Sequence, residues 1–167
     1  LGRLMRDHGG FDHNKQSLRI VTKLENRYPD FPGLNLSWEV REGIVKHESE
    51  YDIADASEYN PELRGHLEAQ IANVADELAY TSHDLDDGLK SGMITPRALE
   101  GIALWENLLE SVGIQKDHFD ELARRRLIRR LIGLEVSDLV YQTNLRLRES
   151  NVRSVEELQS LPYPVIG

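Results

Sequence analysis

Helical periodicity along nearly the whole chain, a capping residue at the head of most periodic segments, and the lack of any convincing alternating strand predict an all-α fold. The segments support this in order. "LGRLMRDHGG" reads as the last turns of a helix stopped by Gly9 and Gly10, so the chain is expected to begin inside a longer protein. Asp12 or Asn14 caps a helix running through "HNKQSLRIVTKLENRY", with Leu18, Val21 and Leu24 at i, i+3 and i+6. "YPDFPG" breaks it. Ser37 caps a helix of about three turns in "WEVREGIVKHESEYD". "DIADASEYNPE" reads as a polar loop, and Asn60-Pro61 as a cap followed by proline at the first helical position. Leu63, Leu67, Ile71, Val74, Leu78 and Leu85 then mark one stripe for about seven turns, ending near Gly88. Thr95-Pro96 opens the next helix, with Leu99, Ile102, Ala103 and Leu109 facing inward. Asp117 starts a long helix to about Arg148. Ser154 and Glu157 make a capping box for a short last helix stopped by Pro162.

With 167 residues the chain fits one domain, or one with an appendage, and is long enough to bury a core. A net charge of −9 disfavours nucleic acid as a partner, because phosphate backbones are bound by excess Lys and Arg; a local basic pocket for a small anion stays compatible. The absence of cysteine excludes disulfides, thiolate metal sites and a cysteine nucleophile, so any metal is held by His, Asp or Glu. No apolar run approaches the roughly 20 residues that span a bilayer, and no secretory signal stands at the start. The expected setting is cytoplasmic, without membrane contact.

"ADELAYTSHDLDDG" (75–88) carries the densest set of chemical groups. On a helix advancing about 100° per residue, Asp76, Tyr80, Asp84 and Asp87 fall within an arc of about 80°, opposite the leucine stripe. Three carboxylates and a phenol on one face suit a cation or a polar ligand; an ordinary wet face gives the same pattern. Asp76 adjoins the Ala69, Ala72 and Ala79 flank, where a carboxylate at a packed margin needs a partner. The dipeptide His83-Asp84 is weak as a metal motif, since helical neighbours point about 100° apart. "LARRRLIRRL" concentrates Arg124, Arg125, Arg126, Arg129 and Arg130 in an otherwise acidic chain. Arg126, Arg129 and Arg130 share one side, Arg124 points into the apolar arc, and Arg125 sits at its edge. Guanidinium forks suit a polyphosphate, and a solvated basic face suits the same residues. Lys46-His47 either lines a pocket or ends a helix, where cations are favoured. Trp38 and Trp105 are expected as core anchors. His8, His66 and His118 carry no usable spacing.

"GGFDHNKQSLRIVTKLENRYPDFPGLNLSWEVREGIVKHESEYD" and "LEAQIANVADELAYTSHDLDDGLKSGMI" resemble bacterial deoxyguanosinetriphosphate triphosphohydrolase-like proteins of the HD-domain phosphohydrolase superfamily. The resemblance is long and ordered over residues 1 to 95, and "ITPRALEGIALWENLLESV" onward resembles the helical region that follows the HD domain. It implies a helical HD-type fold lacking its N-terminal part, divided as 1–92 (the C-terminal part of the HD domain) and 93–167 (the associated helical region). It also implies hydrolysis of a deoxynucleoside triphosphate, dGTP foremost, to deoxynucleoside and triphosphate. Four side chains hold a divalent metal in that family, in the order His, His-Asp and a distant Asp; the last matches Asp76. Tyr80 matches a tyrosine against the sugar, Asp84 an acid near the 3′-hydroxyl, and His13 a position that carries an active-site histidine in some relatives. Arg124 and Arg125 are the candidate triphosphate ligands. Magnesium, manganese, iron and nickel all suit such a site. The resemblance further implies a homo-oligomer.

The first histidine and the His-Asp pair are not in this chain, and His83-Asp84 falls after the distant aspartate rather than before it. The chain alone is therefore expected to be inactive. A non-catalytic helical scaffold, or an HD phosphohydrolase acting on another nucleotide, remain the alternatives.

Overall fold

A computed structural model of the chain describes residues 2–8, 10–47, 58–115 and 118–166. All regular structure among them is helical. A 3-10 turn at Arg6–His8 precedes α1 (His13–Arg19), which passes into a π-helical turn at Ile20–Leu24. α2 (Trp38–Val45), α3 (Leu67–Ser91), a 3-10 turn (Pro96–Leu99), α4 (Ala103–Val112), α5 (Glu121–Ser150) and α6 (Val155–Gln159) follow. The chain forms two compact units, residues 1–74 with 146–167, and residues 75–145.

Several starts follow local chemistry. Asp12 accepts from the Lys15 N–H at 3.0 Å, so it, and not Asn14, caps α1. Ser37 accepts from Val40, Thr95 from Ala98 and Ser154 from Glu157. The Glu157 carboxylate accepts from the Arg153 N–H at 2.7 Å, one residue earlier than the expected box. Asp117 lies outside the described residues; Asp120 caps α5 by accepting from Ala123 at 2.7 Å.

Other expectations are corrected by tertiary contacts. The first helix stops at Leu24 rather than Tyr28, because the following loop folds back: Gly33 N–H donates to Glu25 and Leu34 N–H to Val21. Gly33 makes this return with φ +71, where a Cβ would sit 2.4 Å from the Thr22 carbonyl carbon. The described part of α2 spans two turns, not three. Asn60-Pro61 opens a turn closed by Leu63 N–H to Asn60 O, and the helix begins only at Leu67. The reason is Lys46, whose ammonium takes the Asn60 and Leu63 carbonyls at 3.1 and 2.9 Å. His66 heads α3 instead. Its Nε2 donates to the Glu39 carbonyl at 2.8 Å, while Nδ1 lies 3.0 Å from a Glu68 carboxylate oxygen and 3.3 Å from the Ala69 N–H. At its far end α3 runs past Gly88 to Ser91 and stops at Gly92, with φ +77. Gly88 is buried because Ile94 packs onto it.

Within 75–145, Trp105, Leu108, Leu109, Leu127, Ile128 and Leu131 form an apolar core, flanked by Leu85, Leu89, Leu99 and Phe119. Ile102 and Ala103 are exposed, not inward: the core face of α4 is Trp105, Leu108 and Leu109. Ser82, fully buried on α3, donates to Glu135 on α5 at 2.8 Å. In the other unit Val45, Ala69, Leu158, Val165 and Ile166 are buried beside Glu42, Lys46, Gln70 and Gln159. Trp38 is not a core anchor; it is 40% exposed and tilts against Tyr59 with ring centroids 5.4 Å apart.

Candidate functional site

α3 forms as one uninterrupted helix over Asp76, Tyr80, Asp84 and Asp87, so the arc read from spacing exists. Asp76 is half-buried, while Tyr80, Asp84 and Asp87 are exposed. Asp84 and Asp87 edge an open groove at the helix end, completed by Lys90, Met93 and Ile94. The face therefore grades from a partly dehydrated carboxylate to wet ones, with a phenol between.

Arg124 is buried, and its guanidinium pairs with Asp86 on α3. The desolvation of an arginine among leucines is offset by that carboxylate. Arg125 is exposed and pairs with Glu121 one turn back. The pairing of Arg124 was not legible, because 38 residues separate it from Asp86.

His13 belongs to the other unit, where it lines a cavity of about 540 Å³ with Ser17, Ile44, His47, Ala69 and Ala72. The walls are mostly apolar, and the polar groups are tightly arranged. His47 Nδ1 lies 2.7 Å from the Asn73 side-chain oxygen, which can only accept, so Nδ1 carries a proton. Asn14, itself buried, donates to the His47 carbonyl at 2.7 Å. Of the Lys46-His47 pair, His47 thus lines a pocket. Lys46 does not; its ammonium is spent on Glu42 at 2.8 Å and on two carbonyls. Sequence reasoning missed Asn14 as a wall residue and Asn73 altogether, and no spacing signal marks either.

Among the described residues no group of three or more His, Cys, Asp or Glu side chains is placed to hold a metal ion. Asp76 alone does not make a metal site. No helix searched among those residues is long and apolar enough to cross a membrane.

No family model matches the chain. Over 99% of its length it is 45% identical to the deoxyguanosinetriphosphate triphosphohydrolase-like protein of Geobacter sulfurreducens, of which it covers 44%. It is 45% identical over 97% of its length to the protein of that name from Deinococcus deserti, covering 40% of it. With the Brucella suis protein of that name it shares 40% identity over its whole length, covering 46%. The chain thus spans less than half the length of these relatives.

Proposed function

We propose that this chain is part of a metal-dependent deoxynucleoside triphosphate triphosphohydrolase, with dGTP the foremost substrate. The observation that carries the reading is the unbroken α3 face bearing Asp76, Tyr80 and Asp84 one turn apart. The similarity to proteins named for that activity supports it. Asp76 contributes one carboxylate to a divalent ion (magnesium, manganese, iron or nickel), whose other ligands belong to the part of the longer relatives that this chain does not span. Tyr80 packs against the sugar, and Asp84 accepts from its 3′-hydroxyl. Arg124 and Arg125 are the candidate triphosphate ligands, and His13 is the candidate catalytic histidine. Residues 1–92 are the HD part and 93–167 the associated helical region; the assembly is a homo-oligomer in the cytoplasm.

The chain alone hydrolyses no deoxynucleoside triphosphate and binds metal weakly, since affinity comes from several ligands fixed together. In a protein of the relatives' full length carrying this sequence, Asp76→Ala removes both bound metal and triphosphate release. Asp84→Ala keeps the metal and weakens nucleotide binding. Elemental analysis beside a triphosphate-release assay decides: full metal content and activity in Asp76→Ala would sink the reading. Arg125→Gln lowers turnover with metal content unchanged, and Arg129→Gln lowers it less.

A further inference from the structure

Five arginines lie within seven residues of α5, and the structure divides them. Arg124 and Arg125 each have a carboxylate partner, Asp86 and Glu121. Arg126, Arg129 and Arg130 have none among the described residues, in a chain whose acidic residues outnumber its basic ones 29 to 20. On one helix those three occupy an arc of about 100°. With Val112 and Gly133 they line an open groove of about 350 Å³.

Two further observations show the groove to be prepared. Arg126 Nη2 donates to the Val112 carbonyl at 2.7 Å and Arg130 Nε to Ser111 Oγ at 3.3 Å, which fixes both guanidinium planes while sparing most of their N–H groups. A single cation suffices to complement the end of α4, so this leaves Arg129 and the rest of Arg130 unexplained. Gly133 is the second. It sits inside a 30-residue helix, where glycine is disfavoured, yet a Cβ built on it meets nothing within 4 Å. No packing among the described residues calls for a glycine there. The backbone at Gly133 is thus open to close approach by a ligand.

We propose that Arg126, Arg129, Arg130 and Gly133 form a binding site for an oligophosphate anion. Three planar forks match two or three linked phosphate groups far better than one, because each phosphate takes a paired set of donors. The inference does not depend on the function proposed above.

Calorimetric titration of this chain with inorganic tripolyphosphate tests it, with orthophosphate and a deoxynucleoside triphosphate as separate arms. Saturable one-site binding of tripolyphosphate is expected, at least tenfold tighter than orthophosphate and weakening as salt is raised. Tighter binding of the nucleotide would assign the ligand's source to a nucleotide; equal binding, to free oligophosphate. Arg129→Gln, which breaks no hydrogen bond or ion pair among the described residues, weakens binding at least tenfold. Gly133→Leu fills the groove without changing charge and does the same, with helical content and melting temperature retained. Arg148→Gln removes one exposed charge elsewhere on α5 and leaves binding unchanged. Absence of saturable binding overturns the proposal. So does an unaltered affinity in Gly133→Leu, or an Arg148→Gln loss equal to that of Arg129→Gln.

Discussion

Each of the two compact units is stabilised internally in its own way. Residues 75–145 close around leucines, an isoleucine and a tryptophan, a core whose attraction is non-directional. In the unit of 1–74 and 146–167 a polar clasp is buried beside Val45, Ala69, Leu158, Val165 and Ile166. Gln159 Nε2 reaches both Glu42 oxygens at 3.3 Å and the Arg64 carbonyl at 2.9 Å, while Glu42 also holds Lys46. Arg64 returns the contact through the Leu161 and Pro162 carbonyls, and Gln70 accepts from the Val165 N–H. Every one of these bonds needs its partner in one geometry. The apolar unit tolerates changes of shape, whereas the clasped unit tolerates none that leaves a charge or a carbonyl alone.

The largest test of this contrast is Glu42→Ala, which strands the buried Lys46 ammonium. It should cost about 3–5 kcal/mol, read by denaturant unfolding, with loss of hydrogen-exchange protection in α2 and α6. A loss below about 1 kcal/mol would mean that the clasp is ornamental. Next is Leu127→Ala in the apolar core, at about 2–5 kcal/mol depending on how far the cavity collapses. Its exchange losses should centre on α4 and the first half of α5. Gly88→Ala brings a Cβ to 2.6 Å from Ile94 Cδ1, which must swing aside, and the helix preference for alanine offsets part of this. The net cost should be about 1 kcal/mol or less, relieved by Ile94→Ala in the double variant.

The smallest effect is that of pH. Glu39 and Glu156 stand in the first turns of α2 and α6, both in the clasped unit. Each is held below the ordinary carboxylate range, first by its own backbone N–H and then by the capping serine, Ser37 or Ser154. A depressed folded value means stability that is present above the ordinary carboxylate pKa and lost as pH falls through the lowered one. Acid titration followed by hydrogen exchange should therefore loosen α2 and α6 before α4. The opposite order would break the comparison.

What was legible in the sequence follows the same division. Ser37, Thr95 and Ser154 were readable as caps because donor and acceptor lie three residues apart. The Asp76–Tyr80–Asp84 face was readable because one helix carries it. Asn60-Pro61 misled because its local chemistry is overruled by Lys46, and Gly88 because Ile94 needs its missing side chain. The clasp was invisible: Gln159 and Glu42 are 117 residues apart, and neither type signals burial. His13 matched a family position, but its wall partners Asn14 and His47 meet through a hydrogen bond that spans 33 residues of sequence.

The chain has two tryptophans, and each unit holds one: Trp38, 40% exposed in the clasped unit, and Trp105, 3% exposed in the apolar core. Their indoles sit in media of different polarity, so their emission differs in colour, Trp105 bluer and Trp38 redder. Trp38→Phe leaves a lamp in one unit alone, and Trp105→Phe a lamp in the other, at the expense of some core packing. The chain thus carries its own two-channel optical readout of whether its halves melt as one body or in sequence.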